Sequence, residues 1–552
     1  MNSPNPALVT HRAAQRLPRL ALLLFCAAYV LPGLFGRDPW KSADITAFGY
    51  MVNIAQGRTS WLAPTVGGLP ADSALLPYWI GATSIRVLGS WLDPAFAARL
   101  PFALLLVLVL VLVWYATYYL ARTESAQPLP LAFGGEATAV DYARAIADGA
   151  LLALIASLGL LQLGHETTPE LAQLASVALF LYAFAAMPFR PRAARVALLL
   201  ALPALAASGA PSIAIALGIV GAVLCRLSSD ADVRRAAAWV WGSAIAAALV
   251  AALFGAWAWR LGHYESFAQV WGFVRQLVWF TWPSWPLALW TLWRWRERLA
   301  SRHIVFPLLC VAVSLAACVA MGGSDRALML GLPPLAVLAA FALPTLQRST
   351  AAAIDWFSVF FFSIAALTIW VFYVAMQTGV PAKPAANLER LAPGFPKGFS
   401  LVALVLAVAG TLAWLWLVHW RTRRSRHPLW KSMVLPASGV SLCWLLVMTL
   451  LLPPLDHARS YRSLVTRIAQ QVPRESCLAA PAMPRAEVVA LEYLGGYRVD
   501  AMTPATATRC DFLLIVETRQ KPVRSVPGWQ LVTRERRNTS DDEVTAVYRR
   551  AG

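Results

Sequence analysis

Charged residues are scarce in this sequence, and acidic residues are scarcer than basic ones. Asp, Glu, Lys and Arg make up 14% of the 552 residues, whereas about 25% is usual in soluble domains. Hydrophobic residues account for 59%, and the mean hydropathy is +0.59. This balance excludes an ordinary soluble protein and predicts a polytopic α-helical membrane protein.

The sequence also lacks the motifs of nucleotide-dependent enzymes. It contains no P-loop, no dinucleotide-binding glycine fingerprint and no metal-ligand spacing. Carboxylates that would suit a divalent cation are present, but no spacing requires one. No cofactor is therefore predicted, use of a divalent cation is left open, and a nucleotide-activated substrate is not expected.

Cysteine is rare as well, with seven residues in the chain. Cys477 and Cys510 lie in the C-terminal tail, where a disulfide between them would fit an oxidising compartment. The alternative is a pair of unpaired thiols. The other five lie in apolar runs and are interpreted as small buried hydrophobic residues: Cys26, Cys225, Cys310, Cys318 and Cys443.

Long apolar runs are what the sequence has in abundance. A membrane-spanning helix needs roughly 20 apolar residues, and about thirteen runs are candidates. The two runs within 194–226 are divided only by Ser208–Pro211, so they are also compatible with a re-entrant hairpin. The first run precedes no small-residue cleavage site and is interpreted as an uncleaved span. The predicted spans are 18–36, 97–121, 142–164, 169–188, 194–208, 210–226, 236–260, 277–296, 303–321, 326–345, 355–376, 399–420 and 432–452.

The excess of basic residues, a formal net charge of +19, follows the predicted topology. Arginines concentrate in every second connector, as the positive-inside rule predicts for cytoplasmic loops. We therefore predict no nucleic-acid partner, a cytoplasmic N-terminus and a C-terminal tail on the outer side. The basic connectors include Arg12–Arg19, Arg190–Arg195, Arg226–Arg235, Arg294–Arg302 and Arg421–Lys431.

Composition divides the chain into two domains. Residues 1–453 form the predicted membrane domain, and residues 454–552 form a predicted small α/β domain. In the second, a helix is predicted to end at Leu494, a buried strand covers Asp511–Glu517 and a final strand covers Val544–Tyr548.

The first outer loop, at 37–96, is unusually long for a connector between spans. Apolar residues at helical spacing predict two amphipathic helices within it, over 43–56 and over 75–92. Helices of this kind lie along the membrane interface. A polar loop of this length, placed at a membrane edge, indicates that chemistry takes place there.

Three charged residues stand directly after the first span: Asp38, Lys41 and Asp44. Asp44 lies near the start of the first predicted interfacial helix, where an Asp is commonly a helix cap. The functional interpretation is a general base that takes a proton from an acceptor hydroxyl. The local sequence favours neither interpretation over the other.

The second outer connector, His165–Glu170, places three titratable side chains at a membrane edge, where such groups need solvent or a function. Glu170 would stabilise the first turn of the next helix through the helix dipole. The functional alternative is a second carboxylate that faces the same cavity as Asp44.

Cations at the outer ends of spans depart from the positive-inside trend. The planar guanidinium of arginine suits phosphate, whereas the simpler explanation is headgroup contact or snorkelling. The residues concerned are Arg260, His263, Arg275 and Arg326.

Taken together, these features resemble the bacterial membrane glycosyltransferases of the GT-C class, closest to the lipid A aminoarabinose transferases and the protein O-mannosyltransferase-like group. The resemblance covers most of the chain. Arg37–Asp44 resembles a first-loop motif that ends in an Asp-Glu pair, and His165–Glu170 resembles a second-loop segment that usually carries an Asp. Trp279–Trp290 and Arg326–Leu335 resemble later segments.

The resemblance implies a transferase in the bacterial inner membrane. It would move a sugar from a polyprenyl-phosphate donor to a lipid, glycan or protein acceptor at the periplasmic face. Asp44 would act as the base, assisted by Glu170 and Asp38, and an outer arginine would neutralise the leaving phosphate. The implied substrate-binding residues are Lys41, His165, Arg260, Arg275 and Arg326.

Two positions depart from the pattern of the family. The Asp-Glu pair reads Asp44-Ile45, and a Lys-Pro-Pro-Leu motif reads Ser73–Leu76. In relatives that lysine is linked to binding of the lipid phosphate. The alternatives are a non-catalytic paralogue and a lipid-handling or transport protein. The sequence shows no pair of Gly/Pro-broken helices in two matching halves, and this disfavours the transporter.

Overall fold

A computed structural model describes residues 6–72, 74–130, 134–257, 261–262, 266–422, 428–518, 526–536 and 543–551. Helices dominate the described residues, and a small sheet lies near the C-terminus. The helices are α1 (Arg19–Val30), α2 (Lys41–Ala55), α3 (Leu75–Leu88), α4 (Pro94–Ala121), α5 (Ala139–Ala156), α6 (Leu158–Leu163), α7 (Pro169–Ala186), α8 (Pro191–Ala207), α9 (Pro211–Leu227), α10 (Ala231–Leu253), α11 (Phe267–Phe280), α12 (Ser284–Arg294), α13 (Arg302–Ala320), α14 (Asp325–Met329), α15 (Leu332–Ala340), α16 (Arg348–Thr378), α17 (Ala382–Leu391), α18 (Leu401–Thr422), α19 (Lys431–Leu450), α20 (Leu452–Arg459), α21 (Arg462–Ala469) and α22 (Arg485–Gly495). The strands are β1 (Thr65–Val66), β2 (Leu69–Pro70), β3 (Cys477–Ala479), β4 (Arg498–Asp500), β5 (Phe512–Thr518), β6 (Trp529–Arg536) and β7 (Glu543–Arg550).

Over the described part of the chain, eight of the predicted spans form segments long and apolar enough to cross a membrane. They are α4, α7, α10, α13, the segment 325–345, α16, α18 and α19. The helices α8 and α9 have 17 residues each, so each is about 26 Å long against a hydrocarbon core of about 30 Å. The polytopic α-helical class is confirmed, and the count of thirteen spans stays a prediction.

Three runs predicted as single spans are each divided into two helices. The breaks lie between α5 and α6, between α11 and α12, and between α14 and α15. The first two breaks lie against each other. The backbone N–H of Leu158 donates to the carbonyl of Trp282 at 3.1 Å, and the hydroxyls of Ser157 and Ser284 are 3.0 Å apart. The first of these contacts satisfies two backbone groups at the breaks, as irregular backbone buried at membrane depth requires. Sequence patterning did not predict these broken helices.

The long first loop folds into α2, the β1–β2 hairpin and α3, and the two helices fall where the sequence predicts helices. One difference concerns α2, which is buried on more of its surface than an interfacial amphipathic helix would be. Ile45, Ala47, Tyr50 and Ile54 are each at most 2% exposed. The reason is that α3 packs against α2 from within the loop and α22 packs against it from the C-terminal domain.

The C-terminal domain is a five-stranded sheet with the order β4-β3-β5-β7-β6. β3 is parallel to β4 and β5, whereas β7 is antiparallel to β5 and β6. The predicted strands appear as β5 and β7, and the predicted helix is α22, which Gly496 ends at a φ of +72°. The α/β character predicted for the tail is confirmed. Cys477 and Cys510 are bonded through sulfur, with Cα atoms 4.9 Å apart.

Glycines let the C-terminal domain approach the first loop closely. A side chain at Gly49 of α2 would overlap Val489 of α22. In the hairpin, the N–H of Gly67 donates to Glu492 at 3.0 Å, and its carbonyl accepts from Ala501 at 2.9 Å. The domain therefore holds the loop that carries Asp44.

Candidate functional site

Asp44 lies in the first turn of α2, and its carboxylate is fully buried. Oδ1 accepts hydrogen bonds from the backbone N–H of Thr167 at 2.8 Å and from its hydroxyl at 2.6 Å. Oδ2 accepts from Nη1 of Arg37 at 3.2 Å and from the backbone N–H of Trp40 at 3.1 Å. Burial raises the pKa of Asp44, but two nearby guanidinium groups and the Thr167 hydrogen bonds outweigh it and hold the pKa below its usual range.

The two guanidinium groups belong to Arg37 and Arg99, which are both buried. Arg37 also donates to the carbonyls of Gly33 and His165, so it joins the end of the first span to the second connector. Arg99, in α4, donates to the carbonyl of Arg37. It borders a cavity of about 10 Å³, which has room for about one water molecule. Two guanidinium groups thus surround a single carboxylate.

Glu166, the residue that follows His165 in the second connector, belongs to a second group of charged side chains. Arg326, in α14, donates from Nη2 to Oε2 of Glu166 at 2.6 Å and from Nη1 to Oε2 of Glu170 at 3.0 Å. Gln162 donates to the other oxygen of Glu166 at 3.3 Å. The Glu166 side chain is 3% exposed, whereas those of Glu170 and Arg326 are 19% and 18% exposed. Glu170 and Arg326 are therefore the members of this group that an outside molecule can contact.

Asp38 makes a different connection, to the C-terminal domain. Its carboxylate accepts from Arg462 at 2.7 and 3.1 Å and from the hydroxyl of Ser460 at 2.6 Å. Burial raises the pKa of Asp38, but the bonds from Arg462 and Ser460 hold the pKa below its usual range. Beside it, Asp456 accepts from the backbone N–H of Asp38 and from the Trp40 indole. These bonds fasten the start of the first loop to α20 and α21.

The His165 ring is held within the protein. Nδ1 lies 2.7 Å from the carbonyl oxygen of Leu161, and Nε2 lies 2.9 Å from that of Tyr29. Burial lowers the pKa of His165 to about 4, because it outweighs the two backbone carbonyls, which raise the pKa. With that pKa the ring carries a single N–H at neutral pH, so it donates to only one of the two carbonyls. Both ring nitrogens face backbone carbonyls, and this geometry links the second connector to α1.

The remaining predicted cations are Arg275, Lys41, Arg260 and His263. Arg275 is exposed on α11, whose next residue, Gln276, donates to the carbonyl of Gly323 at 3.3 Å. Gly323 precedes α14, so Arg275 lies on a helix that contacts the segment carrying Arg326. Lys41 begins α2, but its side chain lies outside the described part of the chain, as do Arg260 and His263.

An apolar cavity of about 370 Å³ lies between α5, α12, α16 and α19. Trp282, Trp290, Phe357 and Phe362 are among its lining residues. Ala156, at the end of α5, also lines it, and eight residues, Ser157–Gly164, separate it from His165 of the second connector. Six of these residues form α6, which is about 9 Å long.

Sequence reasoning selected Asp44, Glu170 and Arg326 but missed most of their partners. Arg99 had a signal, because a single arginine in an apolar run is costly unless it has a partner or a function. The sequence pattern identified the connector His165–Glu170 as a whole and gave Glu166 and Thr167 no separate role. The pairing of Asp38 with Arg462 had no local signal, because 424 positions separate the two residues. Among the described residues, no cluster of three or more His, Cys, Asp or Glu side chains has the geometry to hold a metal ion.

The sequence matches no protein-family model and no curated protein. The fold, however, is similar to that of two solved structures. One is ArnT from Cupriavidus metallidurans bound to undecaprenyl phosphate, with a TM-score of 0.58, 16% sequence identity and 96% of each chain covered. The other is the same protein in the apo state, with a TM-score of 0.60, 16% identity, and 96% of this chain and 98% of that chain covered. The likeness extends over both domains.

Proposed function

We propose that this protein is a membrane glycosyltransferase that moves a sugar from a polyprenyl-phosphate donor to a lipid, glycan or protein acceptor. One observation carries the proposal. Within a fold similar to that of ArnT, Asp44 of the first loop is bonded to Thr167 of the second connector, and Glu166 and Glu170 of that connector are bonded to Arg326. A carboxylate can accept a proton from an acceptor hydroxyl, and a partly exposed guanidinium can bind phosphate. This combination suits transfer of a glycosyl group from phosphate.

The proposed donor follows from the apolar cavity and from the solved structure. ArnT has been crystallised with undecaprenyl phosphate, which combines a long hydrocarbon chain with a charged head. In this protein, the 370 Å³ cavity would hold part of such a chain, and the phosphate would lie beyond α6, near Arg326. Arg275, exposed on α11, is a second cation for the phosphate.

The proposed reaction is an inverting displacement. The acceptor hydroxyl attacks the anomeric carbon of the sugar and gives its proton to a carboxylate of the site. The bond from that carbon to the phosphate oxygen breaks, and its electron pair leaves with the polyprenyl phosphate. Arg326 stabilises the negative charge that grows on the phosphate, because a guanidinium already in place needs little reorganisation during the reaction. The distribution of arginines supports a location of this site at the outer, periplasmic face of the bacterial inner membrane.

The burial of Asp44 favours a second candidate function, the handling of a polyprenyl lipid without glycosyl transfer. Asp44 has 0% exposure, and Ser73–Leu76 replaces the lysine motif of the resembling family. A protein of this kind would bind the lipid phosphate but would transfer no sugar.

The test is transfer of radiolabelled sugar from a polyprenyl-phosphate-sugar pool to acceptors in membranes that contain the protein. We expect wild type to transfer label and Arg326→Gln to lose most of the activity. Arg390→Gln, at an exposed position of α17, is the matched control and should retain activity. If wild type binds the labelled lipid but transfers no sugar from a broad donor pool, the lipid-handling function replaces glycosyl transfer.

A further inference from the structure

The carboxylate of Asp456, in α20 at the start of the C-terminal domain, is bonded to the first loop. Its Oδ1 accepts from the backbone N–H of Asp38 at 2.8 Å and from the indole N–H of Trp40 at 2.6 Å. Within the described part of the chain, this carboxylate forms no ion pair with a lysine or arginine. Burial raises the pKa of Asp456 more than the two bonds lower it. A partly buried carboxylate held by neutral donors costs stability, so its place here indicates a role other than stabilisation.

Trp40 connects Asp456 to the candidate site. Trp40 is 3% exposed, and its backbone N–H donates to Oδ2 of Asp44 at 3.1 Å. Arg37 donates from Nη1 to the same oxygen. The guanidinium carbon of Arg37 lies 5.2 Å from the centre of the Trp40 ring, which is a cation–π distance. Trp40 therefore contacts Asp44, the cation bonded to Asp44, and Asp456.

The Trp40 ring is also enclosed by neighbours on other elements. The guanidinium carbon of Arg459 lies 5.5 Å from the ring centre, and Trp444 and Met448 of α19 belong to the same buried cluster. Because these neighbours restrict the ring, the short bond to Asp456 fixes its orientation. A movement of the indole would move the Trp40 backbone, and with it the N–H that Asp44 accepts.

We infer that Asp456 is a positioning residue that acts through Trp40 to hold Asp44 in place for the reaction. The inference rests on the proposed glycosyl transfer, with Asp44 as the carboxylate that takes the proton from the acceptor hydroxyl. The hydroxyl oxygen bonds to the anomeric carbon, the electron pair of the broken bond leaves with the polyprenyl phosphate, and Asp44 then releases the proton to water. The C-terminal domain contributes by keeping the Trp40 N–H and Arg37 aligned with Oδ2 of Asp44, without contacting substrate.

The first test compares Asp456→Leu with Asp456→Asn in the full-length protein, using the radiolabel transfer assay. Both hydrogen bonds end on Oδ1, so the amide oxygen of asparagine can accept them, whereas leucine cannot. We expect Asp456→Leu to lower kcat by up to about 10²-fold with little change in donor KM, and Asp456→Asn to keep most of the kcat. Asp511→Leu, exposed just before β5, is the matched control. An unchanged kcat in folded Asp456→Leu would overturn the inference, as would a loss confined to donor KM.

A second variant tests the route through Trp40. Trp40→Phe keeps an aromatic ring but removes the indole N–H that bonds Asp456. We expect it to lower kcat on its own and to add little in the double variant with Asp456→Leu, because residues that act as a unit are not additive. Losses that multiply in the double variant would mean that the two residues act separately. If Asp456→Leu does not fold, an unchanged kcat in Trp40→Phe alone contradicts the inference.

Hydrogen exchange provides a readout that does not depend on activity. The Trp40 amide donates to Asp44 and not to Asp456, so faster exchange at this amide in Asp456→Leu reports an effect transmitted to Asp44. The Thr167 amide, which donates to Oδ1 of Asp44 from the second connector, should stay protected. Unchanged protection at Trp40 would refute the positioning role. If exchange responds as expected but wild type transfers no sugar from a broad donor pool, the proposed glycosyl transfer fails and the link from Asp456 to Asp44 stands.

Discussion

Thr167 donates both its backbone N–H and its hydroxyl to one oxygen of Asp44, a residue 123 positions away in the sequence. This pair joins the first loop to the second connector. Because Arg37 bonds both Asp44 and the carbonyl of His165, the junction is held from two sides. Everything proposed for the site depends on these two loops keeping one relative position.

Removing the threonine hydroxyl tests the strength of this junction. In Thr167→Val a charged, buried oxygen loses its 2.6 Å hydrogen bond. Hydrogen bonds to charged groups contribute about 1.5–3 kcal/mol, so we expect the free energy of unfolding to fall by about that amount. Thr167→Ser should retain most of the stability. Denaturation in detergent measures the change.

A matched variant for that experiment is Thr368→Val, which removes an exposed hydroxyl bonded within α16. We expect it to cost much less. Equal losses in the two variants would mean that the bond to Asp44 contributes nothing specific.

Apolar runs were enough to predict the class of fold, because burial in lipid requires about 20 apolar residues in succession whatever their order. Apolar content did not predict the positions at which a run is divided into two helices. Nothing in the apolar content of 142–164 marks its break, whereas Pro283 within 277–296 disfavours a continuous helix there. Both breaks are stabilised by contacts between distant segments, such as the bond from Leu158 to Trp282. Such contacts are visible only in three dimensions.

The candidate site, like the fold, could be predicted only in part from the sequence. Charge at a membrane edge is costly, and this cost drew attention to Asp44, Glu170 and Arg326. Sequence could not show which carboxylate keeps an accessible oxygen, because that depends on partners such as Thr167. It also could not show that Asp38 is bonded to Arg462 in the C-terminal domain.

The neutral state of His165 predicts a pH dependence of stability. The folded pKa is about 4, whereas the unfolded value is about 6.5. Between these values the unfolded chain binds a proton that the folded protein does not bind, so stability falls as pH is lowered from 7 toward 4. A shift of this size corresponds to about 3 kcal/mol.

The comparison that isolates this effect is wild type against His165→Gln. We expect the melting temperature of wild type to drop more between pH 7.5 and pH 5 than that of the variant. Asp44 and Asp38 contribute little between pH 7.5 and pH 5, because the pKa of Asp is about 3.9 in the unfolded chain and lower for both residues in the folded protein, so both are ionised in either state. Parallel pH profiles for the two proteins would contradict the prediction.

Close approach at Gly49 should make this glycine intolerant of even a methyl group. A Cβ there would overlap Val489, and overpacking of this kind costs about 1–3 kcal/mol. We expect Gly49→Ala to lower the unfolding midpoint and Val489→Ala to restore part of the loss in the double variant. Gly242→Ala in α10 is the control, because no atom lies within 4 Å of its added Cβ. There the higher helix propensity of alanine, about 1 kcal/mol, should raise the midpoint.

The bond between Cys477 and Cys510 predicts both a stability effect and a location. These residues join β3 to the start of β5 across 33 positions. A disulfide closing such a loop stabilises a domain by about 2–4 kcal/mol, so the double serine variant should unfold the C-terminal domain at lower denaturant. A membrane-impermeant maleimide should label the two cysteines in cells with a permeable outer membrane, but only after reduction. Labelling without reduction would mean that the thiols are unpaired. Labelling that requires lysis of the inner membrane would place the domain in the cytoplasm and invert the proposed orientation of the site.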